Sequence, residues 1–110
     1  MSYGIHITAA AERDIIRAAD YIEFSLKNPS AADRLLDKTT EQINALADMP
    51  QKFRSVDDPV LAGWGIRFVI VNNYLAFYTI DEEKKIVIVV RFLLQKSNWN
   101  VILHQGFSLN

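Results

Sequence analysis

Residues 63–94 constrain the fold more than any other part of this chain. They read Gly-Trp-Gly-Ile-Arg-Phe-Val-Ile-Val, Asn-Asn, Tyr-Leu-Ala-Phe-Tyr-Thr-Ile, Asp-Glu-Glu-Lys-Lys, then Ile-Val-Ile-Val-Val-Arg-Phe-Leu-Leu. Three runs rich in β-branched and aromatic residues, parted by two short polar breaks, predict a three-stranded antiparallel meander. Asn72-Asn73 suits a two-residue hairpin turn because Asn tolerates positive φ. That turn sets Val71 opposite Tyr74, Val69 opposite Ala76 and Arg67 opposite Tyr78. A second turn at Glu82-Glu83, or over residues 81–84, sets Tyr78 opposite Val87 and Tyr74 opposite Arg91.

Opposed residues share a sheet face and side chains alternate along each strand. One face then carries Ile66, Phe68, Ile70, Leu75, Phe77, Thr79, Ile86, Ile88, Val90 and Phe92, and is expected to be the core. The other carries Arg67, Val69, Val71, Tyr74, Ala76, Tyr78, Val87, Val89, Arg91 and Leu93, and is expected to carry function. A one-residue bulge in either hairpin would split these sets between faces.

Upstream, residues 3–7 alternate like a short first strand. Thr8 is positioned as an N-cap for a helix over residues 9–27, in which Ile15, Ala19, Ile22 and Leu26 form one apolar stripe. After Asn28-Pro29, Ser30 is expected to cap a second helix with the stripe Ala31, Leu35, Thr39, Ile43 and Leu46, ending before Pro50. Residues 50–62 read as a loop, with Asp57-Asp58 as a solvated turn. Ser97 is expected to cap a short last helix bearing Trp99, Ile102 and Leu103. The expected architecture is a single α+β domain over residues 1–110, two layers deep: an N-terminal strand and a helical hairpin packed on the antiparallel meander.

Composition narrows the chemistry. There is no cysteine among the 110 residues, which removes disulfides and thiolate metal sites. The two histidines form no ligand spacing, so neither a metal nor another cofactor is expected. No apolar run approaches the ~20 residues of a membrane span, and the N-terminus lacks the regions of a signal peptide, so a cytoplasmic protein without a membrane partner is expected. Residues 1–49 hold five basic and eight acidic side chains, a net of −3, and residues 50–110 hold seven and five, a net of +2. The sheet half is mildly basic, well short of a typical nucleic-acid surface.

Arg67 and Arg91 are the leading functional candidates, since a planar guanidinium binds phosphate or carboxylate bidentately. Tyr74 and Tyr78 on the same face are candidates to stack a base or move a proton. Lys52, Arg54 and Lys96 would extend a basic, RNA-binding rim.

In order and wording, these pieces resemble the RelE/ParE toxin superfamily of bacterial type II toxin–antitoxin systems, which includes the plasmid stabilisation proteins. Ala10 with Asp14-Ile15, Asp20-Tyr21-Ile22, Asn28-Pro29-Ser30-Ala31-Ala32 and Leu46-Ala47-Asp48-Met49-Pro50 agree with the family, as do the three strands, so that the likeness runs from about Tyr3 to Leu103. The resemblance implies an α+β toxin neutralised by a cognate antitoxin. It implies either a metal-independent endoribonuclease that cuts mRNA on the ribosome or a non-enzymatic inhibitor of DNA gyrase; one fold serves both. In the nuclease branch Arg67 and Arg91 match arginines that contact phosphate or act in catalysis. Many members follow the second arginine with a Tyr-Gly-Arg-Arg-Asp-like run, where this chain has Leu94-Gln95-Lys96-Ser97-Asn98. With both strand arginines present, mRNA cleavage assisted by Tyr74 or Tyr78 is the first expectation. Gyrase inhibition is the alternative, and a degenerate toxin that binds only its antitoxin is a third.

Overall fold

The structure is a computed structural model and describes residues 2–110. Strand β1 (Gly4–Ile7) leads into helix α1 (Ala9–Asp20), capped by Thr8, whose hydroxyl accepts from the Ala11 amide. The helix continues into a π-helical turn, Tyr21–Ser25, before reversing into α2 (Pro29–Ala45). The cap of α2 is Asn28 rather than Ser30. Its side chain accepts from the Ala31 amide, and Pro29 takes the first helical position, where a missing N–H costs nothing.

Residues 50–62 are more ordered than expected. A 3₁₀ turn at Pro50–Lys52 precedes α3 (Pro59–Gly63), and Asp58 caps α3 by accepting from the Val60 and Leu61 amides. Asp-Pro at the N-cap and first helical positions was the signal for it. The meander follows as β2 (Arg67–Val71), β3 (Tyr74–Asp81) and β4 (Ile86–Leu94), and α4 (Trp99–His104) closes the regular structure. Ser97 does not cap α4; its hydroxyl donates back to the Leu94 carbonyl.

The sheet order is β1-β4-β3-β2, with β1 parallel to β4 and the remaining pairs antiparallel. The β2–β3 register is the expected one, from Arg67 opposite Tyr78 to Val71 opposite Tyr74, with Asn72 at φ 55° in the turn. The β3–β4 register differs. Asp81 pairs with Ile86 across a four-residue loop, which places Tyr78 opposite Val89 rather than Val87. A bulge then leaves Val90 without a partner, so Phe77 faces Arg91 and Tyr74 faces Leu94 rather than Arg91.

The face expected to be the core is buried, and the mixed face, expected to carry function, is buried as well. The helical hairpin packs on the mixed face: Ala11, Ala18, Leu35, Ile43 and Leu46 meet Val69, Val71, Ala76, Tyr78, Val87 and Val89. The bulge adds Phe92 to this cluster, away from Val90. The other face, with Leu75, Phe77 and Val90, is closed by Leu61 of α3, Leu103 of α4 and the partly buried Trp99 and Phe107. The α+β layering of hairpin on sheet is present, and short helices cover the second face. Both faces of the meander are therefore buried, which is why its strands read as nearly continuous apolar runs.

Candidate functional site

The four side chains expected to do chemistry are held by the fold. Arg91 lies just past the end of β1, whose last residue, Ile7, pairs with Val89. There its Nε and Nη2 donate to the two carboxylate oxygens of Asp14 on α1, at 2.6 and 3.0 Å. Asp14 Oδ2 also accepts from the Phe92 amide at 3.0 Å. One carboxylate thus neutralises the arginine and satisfies a backbone donor that β1 is too short to reach. The side chains of Asp14 and Arg91 are 6% and 23% exposed.

Arg67 is spent on the loop that follows α2. Its Nη1 donates to the carbonyls of Phe53, at 2.5 Å, and Gln51, at 3.2 Å. Tyr78 is fully buried, and its hydroxyl donates to the Pro50 carbonyl at 2.5 Å. Burial pushes its phenol up to about 12 despite the nearby Arg67 charge. Tyr74 is buried in a stack on Phe92, with ring centroids 4.9 Å apart, and burial with a smaller contribution from Tyr21 raises its phenol above the usual value. A tyrosine that is harder to ionise is a poorer general base near neutral pH.

The expected basic rim is divided. Lys52 and Arg54 lie over the rings of Phe53 and Phe68, at 5.5 and 5.8 Å, beside a shallow hollow next to Ile70. Arg54 also reaches Asp57 at 4.0 Å. Lys96 is exposed in the turn after β4. Among the described residues no three potential ligands gather into a metal site, and no helix is long and apolar enough to cross a membrane.

What the fold does build is a groove of about 820 Å³ between the tip of the hairpin and the end of the sheet. Its floor is Tyr74 and Phe92. One wall is Ala18, Tyr21, Ile22 and Leu26, the other Leu94 and Ile102, and Arg17, Asp14 and Arg91 lie along it. Tyr21 and Leu26 are more than half exposed here. Ile22 and Leu26 continue the apolar stripe of α1: Ile22 is partly buried and packs against the core as expected, whereas Leu26 is exposed rather than buried.

A second feature, not signalled by any motif, joins α3 to α4. His104 Nε2 lies 2.8 Å from Asp58 Oδ2, and Trp64 packs against the His104 and Phe107 rings. The hydrogen bond from His104, with those from the α3 amides, holds the Asp58 carboxyl below the usual carboxylate range.

Fold and groove together define a small α+β binding domain, with an apolar cleft at one end and its strand arginines tied into the scaffold. The family model of the ParE toxin of type II toxin–antitoxin system, parDE, matches residues 5–99, and the chain belongs to this toxin family. Among the solved structures that share the fold are two toxin–antitoxin systems. One is the chromosomal ParDE toxin–antitoxin system from P. aeruginosa, with a TM-score of 0.68 at 16% identity, covering 84% of this chain and 96% of that one. The other is the RelBE2 toxin–antitoxin complex from Mycobacterium tuberculosis, with a TM-score of 0.61 at 23% identity, covering 86% and 99%. No curated protein matches the sequence significantly.

Proposed function

We propose that this toxin arrests growth by binding DNA gyrase in the bacterial cytoplasm rather than by cutting RNA, and that a cognate antitoxin silences it by filling the groove. The observation that carries this reading is the Arg91–Asp14 pair. A phosphate clamp needs a free guanidinium, and this one already has a bidentate carboxylate partner that also serves the Phe92 amide. Releasing Arg91 to a phosphate would leave the nearly buried Asp14 carboxylate without its cation. Nη1 of Arg67 is committed to two carbonyls, and both tyrosines are buried, Tyr78 bonded to the Pro50 carbonyl and Tyr74 stacked on Phe92. Metal-independent cleavage requires groups that activate the 2′-hydroxyl and protonate the leaving oxygen. Of the cations expected to hold RNA, Lys52 and Arg54 lie on the loop that Arg67 bonds, and Lys96 lies apart from them in chain position, in the turn after β4.

The groove suits an amphipathic antitoxin segment. Its apolar residues would lie on Tyr74, Phe92, Ile22 and Leu26, and a carboxylate would meet Arg17. The test is a supercoiling assay with purified gyrase and toxin, together with mapping of mRNA 5′ ends after brief induction. Dose-dependent loss of supercoiling, reversed by antitoxin, with mRNA intact, is expected. Translation-dependent cuts in mRNA with gyrase unaffected would overturn the proposal and restore the nuclease reading.

A further inference from the structure

The floor of the groove holds a polar group that the fold leaves without a partner. Tyr74 follows the Asn72-Asn73 turn directly and pairs with Val71 on one side and Leu94 on the other. Its ring stacks on Phe92 at 4.9 Å, with the planes 11° apart, and the residue is 8% exposed. A tyrosine buried to this degree ordinarily gives its hydroxyl to an acceptor. Tyr78 does so, to the Pro50 carbonyl. The Tyr74 hydroxyl makes no hydrogen bond among the described residues, and no side-chain oxygen or nitrogen there is sealed from the surface without a partner. The oxygen therefore opens into the groove that Tyr74 lines.

The other polar side chains of the groove are either committed or exposed. Asn28 caps α2, and Ser97 donates to the Leu94 carbonyl. Asp14 and Arg91 hold each other. Arg17, Tyr21 and Asn73 lie open to solvent. Among these described residues Tyr74 alone is both buried and unpartnered. Burial, with a smaller contribution from Tyr21, raises its phenol above the usual value. The group keeps its proton at neutral pH and is a donor in need of an acceptor. The ring stack and the strand pairing fix where its oxygen sits.

We propose that Tyr74 sets which antitoxin the groove accepts, by donating its hydroxyl hydrogen to a carboxylate or amide oxygen on a side chain of the bound segment. The inference rests on the reading that an antitoxin segment fills the groove. It adds the residue that discriminates and the chemistry it demands. Apolar contacts with Phe92, Ile22 and Leu26 discriminate weakly, because one methylene more or less changes affinity only modestly. A buried donor discriminates strongly. A segment that lays an apolar side chain over the hydroxyl strips its water and returns nothing, which costs about tenfold or more in affinity. Every antitoxin carries backbone carbonyls, so only a side-chain oxygen tells one from another.

The experiment measures the affinity of the full-length toxin for purified cognate antitoxin by calorimetry, with thermal unfolding as a control. Tyr74→Phe keeps the ring and loses only the hydroxyl, so the melting temperature is expected to stay within ~2 °C while affinity falls about tenfold. In the antitoxin, each Asp, Glu, Asn and Gln of the bound segment is replaced in turn by Leu or Met. One such variant is expected to lose about 30-fold against the wild-type toxin and to bind the Tyr74→Phe toxin more tightly than the wild type. A purely structural role for Tyr74 would not reverse the preference in this way. The proposal is overturned if the Tyr74→Phe toxin binds the cognate antitoxin as tightly as the wild type does, or if no antitoxin variant reverses the preference. Leu26→Arg and Leu94→Arg, both at exposed positions, obstruct the groove. If both leave the affinity unchanged, the antitoxin lies elsewhere, and the groove reading fails together with the inference. If both abolish binding and Tyr74→Phe does not weaken it, the inference fails alone.

Discussion

Replacing Asp14 tests the scaffold role of Arg91 most directly. The carboxylate is nearly buried and takes three hydrogen bonds, two from the guanidinium and one from the Phe92 amide. Removing one partner of a buried ion pair costs about 3–5 kcal/mol. Arg91 keeps some exposure, so the lower end applies. The stranded Phe92 amide adds about 1 kcal/mol, the low end for an unsatisfied donor. Asp14→Ala should therefore cost about 4 kcal/mol, a large part of the ~5–15 kcal/mol that holds a domain together. At roughly 4 °C per kcal/mol for a chain of this size, the melting temperature should fall by about 15 °C. Arg91→Ala should cost less, about 2–3 kcal/mol, because Asp14 keeps the Phe92 amide. In urea unfolding the double variant should be less destabilised than the sum of the two singles, by about 2 kcal/mol of coupling. If each single change costs under ~1 kcal/mol, the pair is no stronger than a surface contact and the reasoning fails. Arg91 would then be free for phosphate, and the nuclease reading would regain its main residue. The same numbers mean that loss of toxicity in Arg91→Ala signifies catalysis only if the variant is shown to be folded.

Two further perturbations probe the supports of the site. Tyr78→Phe leaves the Pro50 carbonyl without its buried donor and should cost about 1–2 kcal/mol in chemical denaturation, with toxicity kept below the new melting point. Because the Tyr78 phenol is raised to about 12, the folded state holds its proton where the unfolded chain, titrating near 10, has lost it. Stability should fall as pH rises from ~10 to ~12, and this slope should be shallower in Tyr78→Phe, where only Tyr74 of the two raised phenols remains. For Asp58, whose carboxyl is lowered by His104 and the α3 amides, the sign is opposite. Its contribution is present above the usual carboxylate value and is lost as pH falls through the lowered one. The stability gap between wild type and Asp58→Asn should close in acid, with NMR titration of the carboxyl confirming the depressed midpoint.

The sequence by itself determined the strands, the two long helices and much of the strand pairing, but not α3 or the turn at Tyr21–Ser25. Asn72-Asn73 fixed the first hairpin because a two-residue turn admits one register, and Thr8 fixed the start of α1 because its hydroxyl satisfies a free helix amide. The order of strand, hairpin and meander sufficed for the family resemblance. What the sequence left open were quantities that depend on distant parts of the chain. The second loop could close with two or four residues, and the bulge at Val90 adds a further shift, so Arg91 could not be placed by counting. Both sheet faces are apolar enough to be a core, and the choice between them rests on the hairpin docking over Val69, Val87 and Val89. Asp14 reads locally as a carboxylate near a helix start. Only the tertiary structure brings it to Arg91, 77 residues away, because β1 ends at Ile7 and leaves the Phe92 amide to be satisfied by a side chain. The groove is equally invisible locally. Ile22 and Leu26 have the spacing of core residues, and the limited extent of the sheet beneath them decides how much of that stripe is covered.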